Sequence, residues 1–159
     1  IEAIAENLVN LYTGADTSTE AWEKITIAST IGGMVINTAG VTLAHGMEHP
    51  ASGLKDIVHG QGLAALTPAV IEASYPGAPE KFARISKLLG GTGAADCAAQ
   101  VKALLQKLDL TCTLGELGLS ESDIPWMAEN CMKVSAASVA NNPVVFTQEQ
   151  IADIYRKSL

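Results

Sequence analysis

His45, His49 and His59 are the only histidines in the chain, and they fall within fifteen residues of one another. Imidazole donates a lone pair from its neutral nitrogen while an acceptor holds the other N–H, which makes histidine the commonest transition-metal ligand. His45 and His49 are four apart on a predicted helix, so both rings leave the same face, about 5–6 Å apart at Cβ. His59 lies across a short loop and can turn back toward them. On spacing alone the pattern suits a metal site and, equally, a solvated helix end, because Gly46 and Pro50 both weaken the helix that carries the pair.

The segment His45-Gly46-Met47-Glu48-His49 also satisfies the HxxEH pattern of inverted zinc peptidases, in which two histidines bind zinc and the glutamate is the general base. That alternative gives His59 and the glycine-rich stretch before the motif no role. A further alternative is a non-catalytic helical assembly module whose histidines are incidental.

Helices must position these rings. Ile1, Ile4, Leu8 and Leu11 recur at helical spacing, so the sequence opens inside an amphipathic helix that stops at the Gly14 to Ser18 turn. Thr17 and Glu20 form a capping-box pattern that opens a long helix. Its predicted buried stripe is Trp22, Ile25, Ala28, Ile31 and Val35, and the helix is expected to reach His49 and end at Pro50. A loop from Ala51 to Val58 leads to a buried helix through Leu63, Leu66, Val70 and Ile71, which Pro68 should kink or break. Pro79 opens a helix containing Phe82, Ile85, Leu88 and Leu89, and Gly90, Gly91 and Gly93 end it. Another helix spans Ala94 to Leu108. After a loop from Thr111 to Gly118, Ser120 and Asp123 mark a start near Ile124, and Thr147 with Gln150 caps a final helix through Ile151, Ile154 and Tyr155.

Composition agrees with an all-α, multi-helix bundle. Of the 159 residues, 48% are hydrophobic and only 4% aromatic, a balance of Ala, Leu, Ile and Val that suits close-packed helices. No repeat or linker divides the chain, so residues 1–159 are expected to form a single helical domain. A net charge of −7 without any basic cluster argues against nucleic acid as a partner. Charged or polar residues interrupt every apolar run before the roughly 20 residues that a membrane helix needs. The odd cysteines Cys97, Cys112 and Cys131 lack a CxxC pairing and point to a reducing cytoplasm. Gly90-Gly91-Thr92-Gly93 follows a helix and lacks GKS/T, so it reads as a helix-ending loop and not a phosphate loop. Trp22 and Trp126 are expected in the core or at an interface, and no carboxylate pair stands out for acid–base work.

The stretch Gly33-Met34-Val35-Ile36-Asn37-Thr38-Ala39-Gly40, then His45-Gly46-Met47-Glu48-His49-Pro50, then His59-Gly60, resembles the signature region of the iron-containing (group III) alcohol dehydrogenases. The likeness extends through Leu108 to Leu119, Asp123-Ile124, Asn142-Pro143 and the segment from Thr147 to Tyr155, and so covers nearly the whole chain. It implies the C-terminal helical, metal-binding domain of that family. His45 and His59 would be metal ligands, and His49 would lie beside the metal and help to relay the alcohol proton. The cofactors implied are Fe2+, or Zn2+ in some relatives, together with NAD(P); the ion acts as a Lewis acid on the oxygen of a small alcohol or aldehyde while hydride passes to or from the nicotinamide.

The family's remaining ligands come from an upstream Asp-x-x-x-His motif, and neither that motif nor a Gly-rich nucleotide-binding domain occurs here. The sequence is therefore expected to be an excerpt of a longer enzyme, inactive by itself and holding metal weakly or not at all. A homo-oligomer is left open. Ala51-Ser52-Gly53 departs from the residues that usually follow His-Pro in the family, which leaves the natural substrate unassigned.

Overall fold

The computed structural model describes residues 1–159. Nine α-helices follow one another without a strand: α1 (Glu2–Thr13), α2 (Thr19–Ala39), α3 (Leu43–Lys55), α4 (His59–Ser74), α5 (Pro79–Leu88), α6 (Cys97–Lys107), α7 (Ile124–Val134), α8 (Ala136–Ala140) and α9 (Gln148–Lys157). Local sequence sets several of their starts. Pro79 supplies the first residue of α5, where its missing N–H costs nothing. Thr147 and Gln150 satisfy each other's backbone amides at the start of α9. Ser120 and Asp123 do the same for the single 3-10 turn that leads into α7.

The helix α3 is central. It packs against α4, α7 and α8, while α9 closes over α4 and α7. Leu43, Met47 and Ala51, four apart along α3, enter a core that also contains Leu66 and Val70 of α4, Ile124, Met127 and Cys131 of α7, and Ile151, Ile154 and Tyr155 of α9. The fully buried Tyr155 donates its hydroxyl proton to the Met47 carbonyl, which ties α9 to α3. Because residues of an α-helix advance by about 100° each, His45 and His49 stand on roughly the opposite side of α3 from this core-facing row. Burial of the row therefore orients the histidines.

The structure corrects several expectations. Ser18, and not Thr17, caps α2, accepting a hydrogen bond from the Ala21 amide at 3.2 Å. The long helix does not run on to His49: α2 stops at Gly40, which adopts φ 72° and ψ −165°, and α3 leaves at 97° to it. That backbone region is essentially restricted to glycine. The Asn141 side chain holds the corner by donating to the carbonyls of Ala39 at 3.0 Å and Val41 at 3.2 Å. Pro50 and Pro68 lie inside α3 and α4 and end neither helix.

The predicted buried stripe of α2 is also overturned. Trp22, Ile31 and Val35 are each more than half exposed, because α2 packs principally along α1. Trp126 is likewise exposed, at 46%. No single helix is long and apolar enough to cross a membrane.

Candidate metal centre

The sharp turn at Gly40 starts α3 two residues before His45, and the short break from Asp56 to Val58 makes His59 the first residue of α4. The packing of α3 against α4 brings their histidines together. The ring centroids of His45 and His59 are 5.2 Å apart, those of His49 and His59 5.9 Å, and those of His45 and His49 6.2 Å. Three side chains that sequence placed near one another are therefore gathered into one small volume. His45 is half-buried, whereas His49 and His59 are exposed.

Two imidazoles that share a divalent ion at about 2.1 Å from each nitrogen have ring centres roughly 5 Å apart. The spacing of His45 and His59 meets that requirement, and both pairs involving His49 are wider. Burial, followed by the neighbouring His59 and His49, pushes the pKa of His45 below its ordinary value, although Glu48 opposes the change. The neutral ring is the form that binds a metal.

Sequence reasoning gave Glu48 no part except as a peptidase base. Glu48 is fully buried. One carboxylate oxygen lies against the Ser52 hydroxyl, and the other against Nδ1 of His59. The Ser52 hydroxyl is also 3.1 Å from the Ile57 carbonyl, so its one proton faces two acceptors. With both oxygens in contact and no exposure, Glu48 lacks the open carboxylate that a peptidase base presents to water.

Donor atoms of Glu48, His49 and His59 all lie within 4.8 Å of one another, a set that omits His45. The Glu48 oxygens are buried and already in contact with Ser52 and His59. A sequence signal for this arrangement existed in the four-residue step from Glu48 to Ser52, which places both on one face of α3.

The glycine-rich loop has a separate role. Asp96 accepts from the Thr92 amide at 3.0 Å and from the Thr92 hydroxyl, so a carboxylate occupies donors that a phosphate would need. The expectation of a helix-ending loop agrees with this geometry.

Comparison with known proteins places these features in a wider setting. A family model described as Fe-containing alcohol dehydrogenase family, C-terminal, matches residues 1–159. The chain is 33% identical to 1,3-propanediol dehydrogenase of Klebsiella pneumoniae, over 99% of this chain and 42% of that protein. It is 33% identical to a long-chain primary alcohol dehydrogenase of Thermoanaerobacter ethanolicus, over 82% of this chain and 35% of the relative. Among solved structures, an archaeal halo-thermophilic alcohol dehydrogenase from a Red Sea brine pool superimposes with a TM-score of 0.88 at 34% identity, covering 99% of this chain and 42% of that one. The chain thus spans less than half the length of these relatives.

Proposed function

Because this chain belongs to the iron-containing alcohol dehydrogenase family, we propose that it is the metal-binding helical part of an NAD(P)-dependent enzyme that interconverts small alcohols and aldehydes. The observation that carries this reading is the convergence of His45, His49 and His59, with ring centroids 5.2 to 6.2 Å apart. His45 and His59 would hold the ion through neutral nitrogens. A divalent iron, or zinc, held there supplies Lewis acidity toward the substrate oxygen, while NAD(P) exchanges the hydride.

His49 has a different task. Its exposed ring stands beside the other two and can pass the alcohol proton toward solvent. Residues outside these 159 would complete the metal ligands and hold the nucleotide, since the Thr92 loop has its donors occupied by Asp96. The separated chain would accordingly bind divalent metal weakly or not at all and have no dehydrogenase activity. Free Cys97, Cys112 and Cys131 suit a cytoplasmic setting.

The test is a chimera in which residues 1–159 replace the matching C-terminal part of the Klebsiella pneumoniae 1,3-propanediol dehydrogenase. The chimera should retain iron and reduce NAD+ with an alcohol. His45→Ala or His59→Ala should remove both properties. His49→Ala should keep the metal and lower the rate by about 100-fold or more, the scale of general acid–base catalysis. Full metal retention and turnover after either His45→Ala or His59→Ala would overturn the ligand assignment.

A further inference from the structure

The carboxylate of Glu48 is completely removed from solvent, a costly placement unless hydrogen bonds compensate it. Ser52, one helical turn onward, supplies one of those bonds, and His59, eleven residues along the chain on the next helix, supplies the other. The contact between His59 Nδ1 and the Glu48 carboxylate gives an Nδ1–H an acceptor, and in that arrangement the lone pair of Nε2 is left free. The His59 side chain is 51% exposed, and packing alone does not immobilise it. Space for the carboxylate comes from Gly62, where a Cβ would lie 2.9 Å from both Cγ and Oε1 of Glu48.

We propose that Glu48 is a positioning residue that fixes the tautomer and ring plane of His59, so that Nε2 is presented to a divalent cation. This rests on the metal-centre reading above. A histidine lacking such an acceptor can place its proton on either nitrogen and must vacate the one the metal needs. A carboxylate behind the ring removes that step, raises the basicity of the ligand and limits its rotation. Glu48 touches neither the reacting atoms nor, with both oxygens engaged, the ion itself.

The experiment uses the 159-residue chain labelled with 15N-histidine, with the imidazole nitrogens observed by NMR before and during titration with Zn2+ alone. The native chain should hold His59 as the Nδ1–H tautomer, and Zn2+ should perturb His45 and His59 together. Glu48→Ala should release His59 into a mixture of tautomers and raise the Zn2+ dissociation constant by about 10–100-fold. Glu48→Gln, whose amide oxygen still accepts, should retain the tautomer and fall between the two. Gly62→Ala crowds the carboxylate without touching a histidine and should act in the same direction as Glu48→Ala; it also serves as the test if circular dichroism finds Glu48→Ala unfolded.

An unchanged His59 tautomer in folded Glu48→Ala, or in Gly62→Ala, overturns the role of Glu48. Failure of the metal-centre reading looks different: the tautomer responds to Glu48, yet the chimera described above keeps its iron after His45→Ala or His59→Ala.

Discussion

Glu48 precedes His49 in the chain but serves His59 in space. The direction of a side chain about α3 explains this, since Glu48 turns toward α4 while His45 and His49 leave the opposite side from Leu43 and Met47. Burial of ionisable groups has consequences for the thiols as well. Cys131 is fully enclosed, and burial pushes its pKa up to about 11. Cys97 is raised for the same reason, and Cys112 by burial and the neighbouring Glu116, but Cys112 alone is only half-buried, donating to the Gln61 carbonyl at 3.4 Å. The thiolate is the reactive form. An aromatic disulfide reagent at pH 8 should therefore modify Cys112 alone in the folded chain, and all three cysteines after denaturation. Rapid native-state labelling of Cys97 would contradict the packing at the start of α6, and of Cys131 the packing around α7.

At the scale of the elements, the corner between α2 and α3 determines where His45 begins its turn. Gly40→Ala places a Cβ on a backbone of φ 72° and ψ −165°. The expected loss is about 1–3 kcal/mol, measurable as a lowered urea midpoint with an unchanged slope. An unchanged midpoint would mean that the corner relaxes without strain. The sequence carried a glycine here, but the apolar spacing through Ile31 and Val35 and the His45–His49 step beyond it favoured continuation. Pro50 misled in the opposite sense: it lies buried within α3 and does not end the helix.

For the whole molecule, the distribution of burial separates two kinds of apolar residue. Leu66 is fully enclosed in the core shared by α3, α4, α7 and α9, and Leu66→Ala should cost about 2–5 kcal/mol. Ile31 and Val35 stand on the open side of α2, 53% and 52% exposed, so polar replacements there should change stability by no more than about 0.5 kcal/mol. Denaturant titration of the three variants decides both points. The same open face should make the separated chain associate with itself, eluting on sizing chromatography above its mass of 16.5 kDa. Ile31→Glu with Val35→Lys should restore monomer elution; unchanged elution of the double variant would place the contact elsewhere.

The sequence by itself determined the all-α class, most helix starts and the family. Those features depend on residues three or four apart, as in the pairs Thr147 with Gln150 and Ser120 with Asp123, or on one contiguous motif around His45, His49 and His59. Only the tertiary structure decided that α2 lies largely uncovered, that the chain turns through 97° at Gly40, and that a buried glutamate holds the third histidine. Each of these is settled by which surfaces meet. The bare Cα of Gly62 admits Glu48 only when α4 lies against α3, and no local spacing encodes that approach.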